Sequence, residues 1–164
     1  MKKLQYSVEV EEFDSDVDLP AEDLKLLKAA KKKLSSAYAP YSEFAVSAAV
    51  LLANGEIVTG TNQENAAYPS GMCAERVAVF SAASNFPGVA IEKVVITADS
   101  DRIKVDHPIA PCGACRQVML EYEVNQANAI TLVLAGASGR AYRIHGVSQM
   151  LPIFFHEEGL KKHL

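Results

Sequence analysis

The chain has 164 residues, of which 49% are hydrophobic and 22% charged, a balance typical of a globular protein of about one domain. Its net charge of −4 argues against a nucleic-acid-binding surface, which usually carries clustered Lys and Arg. The one basic stretch, residues 25–33, is interrupted by apolar residues at helical spacing, which is typical of a solvated helix face.

The cellular compartment can be predicted from the cysteines and from the apolar runs. The odd number of cysteines, two of them spaced as Cys-x-x-Cys, indicates a reducing environment. The first residues form no apolar signal core, and no apolar run approaches the roughly 20 residues that a membrane span needs. We therefore expect a cytoplasmic protein.

Residues 1–20 are expected to be an N-terminal extension ahead of a single domain over residues 21–164. The extension is acidic, and its apolar residues alternate in a β-like pattern at Tyr6, Val8 and Val10. The sequence leaves open whether it packs on the surface or at an interface.

The pattern of apolar residues, caps and turns predicts an order of α-β-β-α-β-α-β-β. The first helix starts at the Pro and acidic residues near Asp18, and the first two strands meet at the hairpin turn Asn54-Gly55. The predicted bounds in chain order are 18–37 (helix), 44–53 and 56–59 (strands), 73–84 (helix), 93–98 (strand), 112–122 (helix), 130–134 and 140–144 (strands) and 147–151 (short helix). This order suits one mixed sheet with helices on its faces.

All three cysteines fall inside two short motifs, Met72-Cys73-Ala74-Glu75-Arg76 and Pro111-Cys112-Gly113-Ala114-Cys115-Arg116. Three thiolates leave a fourth zinc position open for water, whereas four protein ligands would close the site. Glu75, two residues after Cys73, supplies a proton carrier. Cys-x-Glu followed by Pro-Cys-x-x-Cys is the signature of zinc deaminases, with Cys at the position that is usually His.

Three other interpretations of the cysteines remain open: a structural zinc site, a redox Cys-x-x-Cys pair, or unrelated core thiols. A structural site needs a fourth ligand, and none of the histidines has a finger-like spacing from a cysteine. These histidines are His107, His145, His156 and His163. A redox pair would leave the Cys73-Ala-Glu75 motif unexplained.

From about Ala37 to the C-terminus, the sequence resembles the short, homotetrameric cytidine deaminases. The resemblance is carried by three motifs, Tyr-Ala-Pro-Tyr-Ser-Glu-Phe at 38–44, Thr-Asn-Gln-Glu-Asn-Ala-Ala-Tyr at 61–68 and Pro-Cys-Gly-Ala-Cys-Arg-Gln at 111–117. It implies an α/β fold, an α-β-α sandwich with one mixed sheet of about five strands. It also implies one zinc ion per subunit, held by Cys73, Cys112 and Cys115.

The same resemblance implies the reaction and the roles of further residues. The reaction is the hydrolytic deamination of cytidine and 2′-deoxycytidine in pyrimidine salvage, with Glu75 as proton shuttle. Arg76 would draw charge from a ligand sulfur, and the backbone carbonyl of Ala110 would accept from the departing amine. The implied substrate-binding residues are Phe44, Asn62, Glu64, Tyr68, Ala74 and Phe155. Asn62 and Glu64 would bind the 3′-hydroxyl of the sugar, while Tyr68 and Phe155 would reach a neighbouring subunit's site in the tetramer.

Two departures and three rival functions accompany this hypothesis. Ser47 stands where Gly is common in the family, and His156-Glu157 replaces the common Gly-Pro after the C-terminal Phe. The rival functions are deamination of a modified cytosine compound, editing of a nucleic acid, and a non-catalytic zinc-stabilised binding module. The loop at 62–65 disfavours the first, and the negative net charge and the lack of Trp disfavour the second.

Overall fold

A six-stranded mixed sheet organises the computed structural model, which describes residues 1–156. The strands are β1 Glu11–Phe13, β2 Phe44–Leu52, β3 Ile57–Thr61, β4 Ile91–Ser100, β5 Thr131–Ala135 and β6 Ala141–His145. The helices are α1 Ala21–Lys33, α2 Ala74–Asn85 and α3 Gly113–Glu123, with 3-10 turns at Asp16–Asp18, Leu34–Ser36, Tyr68–Ser70 and Val147–Met150.

The strand order is β1-β6-β5-β4-β2-β3. The pair β4 and β5 is parallel, and every other neighbouring pair is antiparallel. Parallel neighbours need a crossover connection, and α3 provides it between β4 and β5. The expectation of one mixed sheet is confirmed. The strand count is six rather than about five because β1 comes from the segment that was expected to be an extension.

Helices cover both faces of the sheet, so the predicted α-β-α sandwich is confirmed. Alternate residues of a strand point to opposite faces, as β4 illustrates. Val94 and Ile96 pack in the core under α2 and α3, whereas Val95 packs in the core under α1. The two-residue period of the buried positions thus builds two cores, one on each side of the sheet.

Several element boundaries differ from the predictions by one to four residues, most of all at the end of the first helix. The first helix ends at Lys33 rather than about Ala37, and residues 34–36 tighten into a 3-10 turn. Serines compete for backbone hydrogen bonds, so Ser35 and Ser36 favour such a turn over continued α-helix.

The N-terminal strand was not among the predicted elements. It lies at 11–13, after the alternating stretch, because pairing requires the edge of β6 and not only a β-like pattern. Glu11 and Glu12 in that strand form ion pairs with Arg143 and Arg140. The division of the chain at residue 20 stays a prediction. Over the described residues 1–156, no helix combines the length and the apolar character needed to cross a membrane.

Candidate active site

Two helices begin at the site, each with a cysteine directly before its first residue. Cys73 precedes α2 and Cys112 precedes α3, and both have extended backbone conformations. Cys115 follows within the first turn of α3 and is fully buried. The positive ends of two helix dipoles therefore meet at the thiols, and this arrangement favours negatively charged sulfur.

The spacing of the sulfur atoms fits a tetrahedral metal. The Sγ atoms of Cys73 and Cys112 are 3.9 Å apart, and those of Cys112 and Cys115 are 3.4 Å apart. Zn–S bonds of about 2.3 Å at tetrahedral angles place two sulfurs about 3.8 Å apart. All three atoms lie within 4.8 Å of one another, and this is the one such group of potential ligands within residues 1–156. Since His107, His145 and His156 are not members of it, the donor set is three thiols.

Burial and a neighbouring carboxylate shift the pKa values of the thiols. Burial raises the pKa of the Cys73 and Cys115 thiols, and the nearby Glu75 carboxylate acts in the same direction. At Cys112 burial also acts to raise the pKa, but hydrogen bonds from Cys115 and Cys73 lower it overall. A divalent cation takes the place of the thiol protons when it binds such a cluster.

Glu75 and Arg76 flank the thiol cluster from the first turn of α2. Glu75 is buried and lines the adjacent cavity. The Arg76 Nη2 atom lies 3.8 Å from Cys73 Sγ, while its Nε atom is buried with no hydrogen-bond partner among the described residues. A guanidinium in this position faces the sulfurs rather than a neighbour on the helix surface.

A cavity of about 720 Å³ opens beside the cluster, within the size range of small-molecule sites. Most of the residues with a predicted role in catalysis, metal binding, charge tuning or substrate binding line it. They are Cys73, Cys112, Ala74, Glu75, Arg76, Asn62, Glu64, Tyr68 and Ala110.

Of the predicted site residues, the buried Cys115 and the aromatic residues Phe44 and Phe155 are not part of the cavity lining. Phe44 begins β2 and is half-buried, and it is two residues before Val46, which does line the cavity. Phe155 is 71% exposed. The roles of both aromatic residues stay predictions.

Asn62 is held in place by the start of β2. Its Oδ1 atom accepts a hydrogen bond from the backbone N–H of Val46 at 2.8 Å, and its Nδ2 atom donates to the carbonyl of Phe44 at 2.9 Å. One amide hydrogen and one oxygen lone pair remain for a ligand. The loop prediction therefore identified a side chain that is fixed by the fold and still has hydrogen-bonding capacity.

The sequence assigned no role to nine of the residues that line the cavity: Tyr41, Ser42, Val46, Gln63, Asn65, Gly71, Met72, Ile96 and Ile109. The residues other than the two isoleucines lie inside the quoted motifs or within two residues of them, so the motifs are the signal that identifies them. Ile96 lies in the middle of β4, and Ile109 lies in the loop that leads to Cys112. No local sequence pattern marks either residue, because the tertiary fold rather than a nearby motif brings them to the cavity.

This fold and this pairing of three thiols with a carboxylate define a class of enzyme, the zinc-dependent hydrolytic deaminases. The sequence model of the family described as "Cytidine and deoxycytidylate deaminase zinc-binding region" matches residues 20–131. The chain belongs to this family of deaminases. It is a hydrolytic enzyme with zinc as its cofactor, and Cys73, Cys112 and Cys115 form the metal site that fits the ion.

Individual relatives agree with this assignment. A cytidine deaminase from Halalkalibacterium halodurans is 38% identical over 135 residues, which cover 82% of this chain and 95% of the relative. A cytidine deaminase from Sporosarcina psychrophila is 44% identical over 99 residues, covering 60% of this chain and 68% of the relative. The crystal structure of cytidine deaminase from Burkholderia pseudomallei superimposes with a TM-score of 0.70 at 36% identity, covering 84% of this chain and all of that one.

Proposed function

We propose that the protein hydrolyses cytidine and 2′-deoxycytidine to uridine and 2′-deoxyuridine, with release of ammonia. One observation carries the proposal: a single cavity is lined by Cys73, Cys112 and Glu75 and also by Asn62 and Glu64. The two cysteines are metal ligands and Glu75 is a proton carrier, which are the groups that hydrolysis needs. Asn62 and Glu64 are polar groups of the kind that bind sugar hydroxyls. The relatives named above are cytidine deaminases, which supports the same substrate.

Glu75 is the proposed carrier of every proton in the reaction. Zinc held by the thiolates supplies a Lewis acid that makes water a nucleophile near neutral pH. As the water oxygen adds to C4 of the base, Glu75 accepts the proton that is lost and delivers a proton to N3. The carboxylate then moves the hydroxyl proton to the amino group, the C4–N bond breaks, and ammonia leaves. The backbone carbonyl of Ala110 is proposed to accept a hydrogen bond from that departing amine.

Arg76 is proposed to tune the charge of the metal site. Three thiolates around Zn²⁺ give a net charge of −1, which weakens the ion as a Lewis acid. The guanidinium of Arg76, 3.8 Å from the Cys73 sulfur, counters that excess by drawing charge from the ligand.

The remaining predicted residues are proposed to hold the nucleoside. Asn62 and Glu64 bind the 3′-hydroxyl, which both ribose and 2′-deoxyribose carry, so that both sugars are accepted. Phe44 and the backbone of Ala74 contact the base. Tyr68 and Phe155 are proposed to reach the site of a neighbouring subunit in a homotetramer, near the 5′-hydroxyl and the pyrimidine ring respectively.

We place this activity in pyrimidine salvage in the cytoplasm, with nucleosides as partners rather than nucleic acids or membranes. The negative net charge of −4 supports small-molecule substrates over a nucleic acid.

The test is the ultraviolet absorbance change of cytidine and 2′-deoxycytidine incubated with the zinc-loaded protein. We expect conversion by the wild type and a loss of at least about 100-fold in kcat for Glu75→Gln, since general acid–base catalysis contributes about 100-fold or more. Zinc content, measured on both proteins, shows that the variant keeps its metal.

The matched control is Glu56→Gln, which changes an exposed carboxylate outside the cavity in the same way. A folded, zinc-bound wild type that converts neither nucleoside would contradict the proposed reaction. Wild-type rates in the Glu75→Gln variant would contradict the proton-carrier role while leaving the reaction intact.

A further inference from the structure

The Glu64 carboxylate is held by three hydrogen bonds from one turn of the chain. Its Oε2 atom accepts from the backbone N–H groups of Tyr41 at 2.8 Å and of Ser42 at 3.3 Å. Its Oε1 atom accepts from the Ser42 hydroxyl at 2.5 Å. All three donors are uncharged, so the carboxylate keeps its full negative charge. The Ser42 hydroxyl, followed by the Tyr41 N–H, lowers the pKa of Glu64, as expected for a carboxylate that accepts these hydrogen bonds.

The Ser42 hydroxyl has a fixed direction. The backbone N–H of Phe44 donates to Ser42 Oγ at 3.1 Å and so occupies an acceptor position of the hydroxyl. The hydroxyl hydrogen is thereby directed toward Glu64 Oε1. A hydroxyl oriented by one partner and donating to a second limits rotation of the carboxylate more than a backbone contact alone.

The turn that carries Ser42 is itself anchored. Glu43 has a φ of 53°, the one non-glycine residue in the left-handed region among residues 1–156. Arg102 binds both carboxylate oxygens of Glu43, and the Ser100 hydroxyl donates to the Glu43 carbonyl at 2.9 Å. These contacts keep the left-handed turn in place, so that Ser42 faces Glu64.

We propose that Ser42 is a positioning residue for sugar recognition, fixing the Glu64 carboxylate so that it accepts from the 3′-hydroxyl of the nucleoside. This role rests on the proposed function, because it requires Glu64 to contact the sugar. Asn62 is fixed in a corresponding way by Val46 and Phe44. One stretch of chain, residues 41–46, therefore pre-organises both groups that are proposed to bind the sugar. An acceptor that is already ordered in the free protein loses less conformational entropy when the ligand binds.

The test compares Ser42→Ala with the wild type on cytidine and on 3′-deoxycytidine, which lacks the hydroxyl in question. On cytidine we expect KM to rise by about 3- to 10-fold, the typical net size of one hydrogen bond at a solvated site, with kcat changed less than about 2-fold. On 3′-deoxycytidine the two proteins should have equal kcat/KM. Ser42→Thr, which keeps the hydroxyl, should restore most of the affinity for cytidine.

Ser84→Ala is the control, because Ser84 is an exposed serine near the end of α2. A second measurement follows the Glu64 carboxyl by carbon NMR in the zinc-loaded protein, with Glu64→Gln for assignment. Its pKa should be higher in Ser42→Ala than in wild type and unchanged in Ser84→Ala.

Four outcomes would overturn the role of Ser42. They are an unchanged KM for cytidine, an equal loss on both substrates, a fall in kcat alone, and an unchanged Glu64 pKa. Failure of the proposed function would be seen separately, because the wild type itself would then leave cytidine unconverted. In that case the role of Ser42 in sugar binding would be excluded as well.

Discussion

Glu123 is a buried carboxylate that joins three parts of the chain far from the cavity. At 8% exposure, it accepts hydrogen bonds from the backbone N–H groups of Val147 at 2.7 Å, Ile130 at 2.9 Å and Ser148 at 3.0 Å. It connects the end of α3 to the start of β5 and to the 3-10 turn after β6. Since α3 begins at the metal site, Glu123 secures the opposite end of the helix that presents Cys112 and Cys115.

Replacing Glu123 with Ala should lower the free energy of unfolding by about 2 to 4 kcal/mol, because the three backbone donors would lose a charged acceptor. Urea unfolding followed by circular dichroism measures the change. Glu121→Ala, at an exposed position of the same helix, should change stability by less than about 0.5 kcal/mol. A loss below about 1 kcal/mol for Glu123→Ala would show that water replaces the carboxylate at little cost.

Sequence reasoning finds single residues when their chemistry is local. Cys73 and Glu75 are two positions apart, and Cys112 and Cys115 are three apart, so spacing alone relates them. Glu123 has partners up to 25 residues away along the chain, and no local pattern distinguishes it from a surface glutamate.

At the scale of elements, β3 and α2 approach so closely that only glycine fits at one position. A Cβ atom on Gly60 would lie 2.5 Å from the Ala78 nitrogen and 2.7 Å from the Ala74 carbonyl oxygen. Both contacts are with helix backbone, which has no flexible end to move aside. Because Ala74 directly follows Cys73, the position of β3 fixes where α2 presents its thiol.

Gly60→Ala should destabilise the protein by about 1 to 3 kcal/mol through overpacking and should speed the loss of zinc, because α2 must shift. Thermal unfolding and zinc release to a chromogenic chelator measure the two effects. Gly113→Ala is the matched control for stability, since a Cβ at Gly113 meets nothing within 4 Å. Equal unfolding temperatures for the two variants would mean that the sheet and α2 adjust without cost.

Elements could be predicted where local chemistry determines them. The Asn54-Gly55 turn is one such case, because Gly55 adopts a φ of 86°, which glycine tolerates. The strand at 11–13 could not be located, because its pairing depends on β6 more than 100 residues later. Strand order is likewise non-local, and it decides which apolar residues of β4 face the cavity.

On the scale of the whole molecule, two exposed aromatic side chains bear on the proposed tetramer. Tyr68 is 80% exposed at the cavity and Phe155 is 71% exposed, while the Phe155 carbonyl accepts from Gln117 of α3 at 2.9 Å. Contiguous apolar surface that is exposed in a single chain often marks a contact between proteins. Their exposure in a single chain agrees with the proposal that they complete sites in neighbouring subunits.

We expect size-exclusion chromatography with light scattering to give a mass four times the chain mass of 17.7 kDa. Tyr68→Ala should lower kcat/KM for cytidine without loss of zinc, because the tyrosine is proposed to contact substrate and is not a member of the thiol cluster. A monomer that is fully active at assay concentration would contradict the shared site.

The pairing of β1 with β6 also has a consequence for how the chain is made. Glu11 and its ion-pair partner Arg143 are 132 residues apart, so β1 leaves the ribosome long before β6 and cannot join the sheet until β6 has been made. Contacts so distant in sequence form late in folding. During synthesis, the segments that carry the catalytic motifs therefore leave the ribosome before β6 has been made, and β1 has no edge to pair with until then.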